Sequence, residues 1–416
     1  MRSLLALVFV VLGTWGIGAQ EWLPVRETAL ELSAGSPLDF SGILPNGDIN
    51  PHRRLVIANG RFVMSDRPDA PQPLLCASLG WSPASGGFPD HDGADRYARQ
   101  LAMRGYNIAR FHFVESALMN GRSEAFDVDP ETLDRVHYLM AALKREGISW
   151  IMDGMTSARG GLGGYDDRWD GVGDLKEAVL LDAAALEHWR QLQLRVLGMV
   201  NPYTGIAPIA DPALALVVLV NEGGLEFDSM VREGQGHGSY SPRLAAHFND
   251  WLRRHYRDDA ALIDAWGDLA AGESPVDGTI ALPTNRYAEA PRYRDVQRYF
   301  IETEIAGTAA MTTILRDLGY RGAITNYNNW PILQASLSRR DLDVVSMNTY
   351  FDWVDSYDVG ASIEQASSID RGLDYIRVAA ATRWLGKPFL ITEYDHLFWN
   401  RYRYEAGLAM PAFAAF

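Results

Sequence analysis

Apolar positions along this chain fall into short uninterrupted runs that alternate with longer amphipathic stretches. Seven apolar runs of strand length lie beyond residue 72, at 73–80, 106–113, 148–153, 214–221, 322–327, 343–350 and 388–394. A run that is apolar at nearly every position predicts a strand buried on both faces, as in a parallel sheet. The alternation with helical stretches therefore predicts an α/β fold built from repeated strand–helix units.

The stretches between these runs carry the signals of helix boundaries. The stretch 92–106 opens at an aspartate cap, and 129–147 has Pro130 at its first helical position. Longer amphipathic stretches at 176–200 and 292–319 are each predicted as one helix.

Polar residues at the strand ends distinguish between an open doubly wound sheet and a closed barrel. They occur on several different predicted strands and include Arg110, His112, Asp153, Asn221, Glu222, Asn326, Tyr350 and Glu393. An open sheet concentrates its chemistry at one switch point, whereas a barrel gathers it from many strands onto one face. The pattern therefore favours a (β/α)8 TIM barrel. Because only seven strands can be identified, we expect the chain to be C-terminally incomplete, ending before strand eight.

A short β unit is predicted ahead of the barrel. Residues 53–66 alternate apolar and polar around Asn59-Gly60, which is typical of a hairpin with a type I′ turn. We therefore assign 20–72 to an N-terminal extension with a β-hairpin cap and 73–416 to the barrel domain. Two inserts follow strand ends and should rim the active face, at 153–174 and 223–290.

The first residues of the chain have the features of a secretory signal peptide. A short basic start precedes an apolar stretch and small residues, with Ala19 before Gln20 as the expected cleavage point. The apolar stretch is shorter than the ~20 residues that cross a bilayer, although an uncleaved anchor is the alternative. We predict a secreted or periplasmic protein that has no membrane segment once residues 1–19 are removed.

The formal net charge of the chain is -15. Such an acidic surface repels nucleic acid and anionic lipid, so neither is predicted as a partner. The single cysteine, Cys76, excludes a disulfide within the chain. The sequence has no HExxH motif and no Cys/His cluster, so neither a catalytic metal nor a cofactor is predicted. The oligomeric state is left open.

Two of the apolar strands end on a glutamate. The run LALVVLV leads to Asn221 and Glu222, and the run PFLIT leads to Glu393. Two carboxyl groups at one barrel mouth suit glycoside hydrolysis with retention, in which one protonates the leaving oxygen and the other attacks the anomeric carbon. Their carboxyl groups would lie about 5–5.5 Å apart.

Neighbouring strand ends indicate which glutamate takes which role. Arg110 could reach Glu393 and keep it ionised, and Tyr350 could donate a hydrogen bond to it, so Glu393 is expected to be the nucleophile. Glu222 is then the acid/base, which burial and the negative charge of Glu393 would help to keep protonated. Asn221 is expected to face the sugar 2-hydroxyl.

These residues carry a family resemblance. The Asn-Glu after strand four, the Thr-Glu on strand seven, Arg110 in NIARFHF and Tyr350 in VVSMNTY resemble the clan of retaining (β/α)8 glycosidases, which includes β-galactosidases, β-mannanases and endoglucanases. The resemblance covers roughly residues 55–416 as a pattern and does not single out one family. It implies Glu222 as acid/base and Glu393 as nucleophile, the latter partnered by Tyr350.

Further residues are candidates for carbohydrate contacts. Aromatic rings can stack on the C–H faces of sugars, although each tryptophan could equally pack its own loop. The candidates that follow strand ends are His112, Asn326, Trp330, Trp353 and Trp399. For His112, a structural role with satisfied hydrogen bonds is as reasonable as a sugar contact.

Three functions remain open. The first is a secreted retaining β-glycosidase that hydrolyses oligo- or polysaccharides by double displacement. The second is a non-catalytic carbohydrate-binding protein on the same scaffold, which the separation of the two carboxyl groups would distinguish. The third is a lyase or isomerase with Glu222 as a lone general base, and it would need a metal or phosphate site that the loop sequences do not contain.

Overall fold

The computed structural model describes residues 30–42, 48–80, 87–122, 124–157, 175–227, 242–283, 290–356 and 359–415. The predicted signal peptide and most of the insert at 153–174 lie outside these residues. None of the helices in the described ranges is both long enough and apolar enough to cross a bilayer.

Strands and helices alternate along the described chain. The strands are β1 (Leu55–Ala58), β2 (Arg61–Met64), β3 (Arg67–Pro71), β4 (Cys76–Gly80), β5 (Ile108–His112), β6 (Ser149–Asp153), β7 (Leu214–Val218), β8 (Ala323–Thr325), β9 (Val345–Phe351) and β10 (Phe389–His396). The α-helices are α1 (His91–Met103), α2 (Val114–Met119), α3 (Pro130–Arg145), α4 (Leu175–Leu181), α5 (Ala183–Val196), α6 (Pro242–His255), α7 (Asp259–Trp266), α8 (Pro291–Asp317), α9 (Leu333–Ser338), α10 (Asp374–Ala380) and α11 (Ala406–Ala415).

Seven parallel strands follow one another in chain order, as predicted. Strands β4 to β8 form one sheet in the order β4-β5-β6-β7-β8, and β9 pairs with β10. The two sheets are joined where the Val344 N–H donates to the Ile324 carbonyl at 3.3 Å, and where the hydroxyls of Thr325 and Ser346 are 2.9 Å apart. The protein therefore has an α/β fold with parallel strands.

The first and last parallel strands stay apart. No ladder joins β10 to β4 within the described residues, and a cavity of about 920 Å³ lies between them, lined by both strands and by α11. An eighth strand and the incomplete C-terminus therefore stay predictions.

Alternating residues of the parallel strands face two different cores. On β6, Trp150 packs outward among the helices, whereas Ile151 points to an inner cluster. That cluster also contains Leu55 and Phe62 from the N-terminal hairpin, so the hairpin covers the inner face of the strands. Both faces of these strands are buried, which explains why their sequences are apolar throughout.

The predicted hairpin is present and has one more strand than expected. Asn59 and Gly60 both have positive φ angles, 50° and 71°, as the type I′ turn requires. A Cβ atom on Gly60 would lie 2.4 Å from the Gly386 carbonyl oxygen, so only glycine fits there. Strand β3 pairs with β2 and was not predicted, because its sequence RPDAP has little strand character.

One predicted helix is divided in the structure. The stretch 176–200 forms α4 and α5, which meet at Asp182. The Asp182 carboxylate accepts from the N–H groups of Ala184 and Ala185, at 2.7 and 3.2 Å. Aspartate is favourable as an N-cap and unfavourable in the interior of a helix. A second helix therefore begins at Asp182, and the predicted single helix is divided.

Candidate active site

Arg110 is the centre of a buried polar cluster at the carboxyl ends of the strands. Its guanidinium, on β5, makes a bidentate pair with Asp153 on β6 at 2.9 and 2.8 Å. It also donates to Glu393 Oε1 at 2.5 Å and to Asn221 Oδ1 at 2.6 Å. Burial opposes the charge, but Asp153 and Glu393 outweigh burial and raise the pKa of Arg110. The cluster therefore holds a permanent cation against Glu393.

Asp153 compensates the charge of Arg110. Burial alone would raise the pKa of Asp153, but Arg110 and then His112 lower it, so this fully buried carboxyl is ionised. His112 Nδ1 is hydrogen-bonded to Asp153, and its Nε2 lies 3.8 Å from Glu393 Oε1. The ring of His112 thus lies between the carboxylates of Asp153 and Glu393, and these contacts restrict its rotation.

Glu393 receives hydrogen bonds at both carboxylate oxygens. Oε1 accepts from Arg110, and Oε2 accepts from the Tyr350 hydroxyl at 2.6 Å. Burial, followed by the charge of Glu393, raises the pKa of Tyr350, so this hydroxyl keeps its proton and acts as a donor. Glu393 therefore has a cation on one carboxylate oxygen and a neutral hydroxyl donor on the other.

Glu222 is held through its main chain. It has a φ angle of 41°, in the left-handed region that a non-glycine residue seldom adopts. The Lys176 ammonium donates to the carbonyls of Asn221 and Glu222, at 2.7 and 2.8 Å. The Glu222 N–H donates to Asn328 Oδ1 at 2.9 Å. These bonds stabilise a backbone conformation that would otherwise be unfavourable.

A run of asparagines extends the pairing of β7 with β8 beyond the strands. Side-chain oxygens in the sequence TNYNN accept from main-chain N–H groups that lie 106 residues earlier. The pairs are Val220 with Asn326, Glu222 with Asn328 and Gly223 with Asn329. The segment after Glu222 is fixed further by Glu304, which accepts from the Leu225 N–H at 2.8 Å. The segment that carries Glu222 is thus bonded along its length.

The Glu222 side chain has a different environment from that of Glu393. Within the described residues, its Oε1 accepts from Asn348 Nδ2 at 2.8 Å. Asn348 and Tyr350 lie two residues apart on β9, a step of roughly 6.6 Å along a strand, and alternate residues of a strand share a face. One face of β9 therefore presents an amide to Glu222 and a hydroxyl to Glu393, which brings the two carboxyl groups to the same side of the sheet.

Two of the predicted sugar contacts, Asn326 and Trp330, are buried or partly buried. Asn326 is 1% exposed, and its amide is bonded to the Val220 N–H and, at 2.9 Å, to the Thr308 hydroxyl. Both ends of the Asn326 amide are thus used within the protein, and its contact with a sugar stays a prediction. Trp330 is partly buried and packs beside Phe227, with ring centroids 5.8 Å apart.

Two tryptophans are exposed beyond the ends of β9 and β10. Trp353 is 63% exposed and Trp399 is 75% exposed. Their loops are linked by hydrogen bonds, since the Gln365 side chain donates to the Trp399 carbonyl at 2.9 Å and Asn400 donates to Asp352 at 2.6 Å. Both rings are available to a ligand at the same end of the strands as Glu393.

Sequence reasoning did not find several residues that position these carboxyl groups. They are Lys176, Asn328, Asn348 and Thr392. The repeated asparagines in TNYNN, placed directly after an apolar strand, were the one local signal. Lys176 gave none, because it begins an amphipathic helix in which a lysine is unremarkable.

Neither a family model nor a curated protein matches this chain. Similar solved structures include an endo-β-1,4-mannanase from Thermotoga petrophila, with 12% identity and a TM-score of 0.45, covering 84% of this chain and 63% of that one. An endo-1,4-β-mannanase from Rhizomucor miehei has 10% identity and a TM-score of 0.48, covering 82% of each chain. A β-galactosidase from Bacillus circulans sp. alkalophilus has 14% identity and a TM-score of 0.48, covering 76% of this chain and 50% of that one.

This chain therefore spans less than two thirds of the Thermotoga mannanase and half of the β-galactosidase. The similar structures are enzymes of the kinds that the sequence resemblance named. All three TM-scores are below 0.5, so the interpretation of the site rests on its own geometry.

Proposed function

We propose that this protein is a retaining β-glycosidase that hydrolyses oligo- or polysaccharides by double displacement. The observation that carries the proposal is the unequal environment of two carboxyl groups on one side of β9. Glu393 is bonded to Arg110 and Tyr350, whereas Glu222 is bonded to a neutral amide. Two carboxyl groups in environments that differ in this way can act as an ionised nucleophile and a proton donor.

In the first step, ionised Glu393 attacks the anomeric carbon while Glu222 protonates the leaving oxygen. The attack forms an ester and removes the negative charge of Glu393. Glu222, now deprotonated, takes a proton from water, which attacks the same carbon and releases the sugar. Arg110 and Tyr350 hold the carboxylate oxygens of Glu393 and stabilise it as it is regenerated.

The remaining contacts suit a carbohydrate. Asn221 lies beside Glu222 and is held by Arg110, and we propose that it contacts a sugar hydroxyl. The exposed rings of Trp353 and Trp399 offer stacking surfaces at the same end of the strands. We propose that the substrate is carbohydrate and that residues 1–19 direct the protein to a secreted or periplasmic location.

The scaffold of this site is proposed to be a (β/α)8 barrel. Seven parallel strands follow chain order, and the cavity of about 920 Å³ between β10 and β4 is where the remaining strand of such a barrel would lie.

Trapping of the covalent intermediate tests the proposal. A panel of 2-deoxy-2-fluoro aryl β-glycosides should inactivate the protein, and peptide mass spectrometry should find the sugar on Glu393. Glu222→Gln should lower kcat/KM for aryl β-glycosides with poor leaving groups by about 10²–10⁴-fold. Glu393→Ala should be inactive with the same glycosides, with partial rescue by azide.

Sugar binding without turnover or labelling would favour the alternative, a non-catalytic carbohydrate-binding protein. Full activity of Glu393→Ala would exclude the two-glutamate mechanism.

A further inference from the structure

Four hydrogen bonds form a closed circuit that begins and ends at Glu222. The Glu222 N–H donates to Asn328 Oδ1 at 2.9 Å, and Asn328 Nδ2 donates to Thr392 Oγ1 at 3.0 Å. Thr392 Oγ1 donates to Asn348 Oδ1 at 2.6 Å, and Asn348 Nδ2 donates to Glu222 Oε1 at 2.8 Å. The circuit links the segment after β7 to β9, to β10 and to the segment after β8.

The direction of every bond in this circuit is fixed by chemistry. A main-chain N–H can only donate, so Asn328 must turn its oxygen to Glu222 and its NH₂ to Thr392. The Thr392 hydroxyl then accepts from Asn328, and its one hydrogen is directed to Asn348. Asn348 therefore turns its oxygen to Thr392 and its NH₂ to Glu222.

A β-bulge makes Thr392 available to the circuit. Ile391 pairs with Met347, and Glu393 pairs with Asn348, so Thr392 is an extra residue on β10. Because of the bulge, the consecutive side chains of Thr392 and Glu393 both make hydrogen bonds within the site. The Thr392 carbonyl also accepts from Arg110 Nη1 at 3.2 Å, so the bulge is held from both sides.

Burial makes the circuit sensitive to the loss of one member. Asn328 is fully buried and Thr392 is 3% exposed. Water cannot readily replace a missing partner at such positions, and an unpaired buried amide costs about 1–3 kcal/mol. Removal of the Thr392 hydroxyl would leave Asn328 Nδ2 and Asn348 Oδ1 unpaired and release the Asn348 amide to turn.

We propose that this circuit sets Glu222 against Glu393 and assigns the catalytic proton of Glu222 to Oε2. Oε1 accepts from an N–H donor, and the carbonyl oxygen of a carboxylic acid accepts a hydrogen bond more strongly than its hydroxyl oxygen does. The proton is therefore carried on Oε2, the oxygen that delivers it to the leaving group. The inference rests on the proposed glycosidase function and makes Thr392, Asn328 and Asn348 positioning residues for acid catalysis.

The dependence of the rate on the leaving group tests this proposal. A 2,4-dinitrophenyl leaving group departs without protonation, whereas a phenyl leaving group needs the acid. Thr392→Val keeps the shape but removes the hydroxyl, so kcat/KM for phenyl β-glycosides should fall about 10–100-fold. For 2,4-dinitrophenyl β-glycosides the fall should be less than about threefold, since the nucleophile is unchanged.

Thr392→Ser is the matched control, because it keeps the hydroxyl, and it should stay near the wild-type rate with both substrates. Asn348→Ala removes the same donor to Glu222 from a different strand and should repeat the selective loss, even if Thr392→Val folds poorly. Thermal unfolding of each variant checks that it is folded.

Equal losses with both leaving groups in Thr392→Val would overturn the proposal, as would a loss in Thr392→Ser as large as that in Thr392→Val. Either result would leave the glycosidase function intact. A wild-type protein that hydrolyses neither substrate would instead refute the proposed function, and this inference with it.

Discussion

The two glutamates of the site are held in opposite ways. The segment that carries Glu222 is fixed through its main chain by Lys176 and Asn328. Glu393, at the end of β10, is fixed through its carboxylate by Arg110 and Tyr350. Glu222, which we propose gains and loses a proton, is thus placed through its backbone, without a charge that favours one state. Glu393, the proposed nucleophile, is instead bonded directly to a cation.

The same contrast extends to the two parts of the fold. Strands β4 to β8 lie between two apolar clusters, a large outer one and a smaller inner one. Strands β9 and β10 pack on a cluster of five buried residues with α10 and α11, and Leu390 of β10 also joins the inner cluster. Large apolar side chains around this second part are exposed, namely Trp353, Leu385, Phe398, Trp399, Tyr404 and Leu408. Strands β9 and β10, which have the smaller apolar cluster, therefore depend more on polar contacts across the site for their position.

The largest effect is expected from removal of Arg110, the cation that holds the Glu393 carboxylate. Arg110→Met removes the main counter-ion of the buried Asp153 and leaves only His112 beside it, which should lower the free energy of unfolding by about 3–5 kcal/mol. Urea denaturation measures this loss. Arg340→Met is the control, since Arg340 pairs with Asp341 at the surface and should change stability by less than about 1 kcal/mol. Equal effects of the two variants would contradict a buried ionic cluster.

Removal of Lys176 should weaken the main-chain contacts that hold Glu222. Lys176→Met deletes two bonds from a charged donor to the carbonyls of Asn221 and Glu222, so the free energy of unfolding should fall by about 2–3 kcal/mol. Hydrolysis should fall more for phenyl than for 2,4-dinitrophenyl β-glycosides, because Glu222 is displaced.

Lys387→Met is the matched control for this variant. Lys387 donates to the Leu342 carbonyl at 2.6 Å, away from the carboxyl ends of the strands. It should lower stability without changing the ratio of rates with the two leaving groups. A changed ratio in Lys387→Met would show that the ratio reports general instability.

Removal of the Tyr350 hydroxyl tests the second contact to the Glu393 carboxylate. Tyr350→Phe deletes one hydrogen bond to the proposed nucleophile Glu393, worth about 1.5–2 kcal/mol, so kcat/KM should fall about 10–30-fold. The fall should be equal for good and poor leaving groups, because both need the nucleophile. Tyr375→Phe is the control, since the buried Tyr375 hydroxyl has no hydrogen-bond partner among the described residues, and the rates should not change.

The smallest expected effect concerns pH and lies outside the site. Burial lowers the pKa of His137, on α3, from 6.5 to about 4. Between these values the unfolded chain binds a proton that the folded chain does not, so stability should fall as the pH falls from 6.5 towards 4. His137→Leu should reduce this fall by on the order of 1 kcal/mol, measured by urea denaturation at several pH values. The exposed His52→Gln is the control and should leave the slope unchanged.

Local patterns were enough to predict much of the fold. Seven apolar runs became seven parallel strands, and Asn59-Gly60 became the turn of the hairpin. The break at Asp182 was missed because an N-cap and a helix interior position cannot be told apart when the same apolar periodicity continues on both sides. Strand β3 was missed because it gains its hydrogen bonds from β2 and not from its own propensity.

The sequence by itself determined which residues would stand at the strand ends, because a buried strand that stops on a carboxylate leaves a local trace. Glu222 and Glu393 were identified in this way, and Arg110 and Tyr350 as polar residues at the ends of other strands. Only the tertiary structure decided how they are held. The bonds of Thr392 to Asn328 and Asn348 join residues 64 and 44 positions apart. Such contacts depend on strand register and on one bulge, and neither can be predicted from the hydrophobic and polar pattern of a single segment.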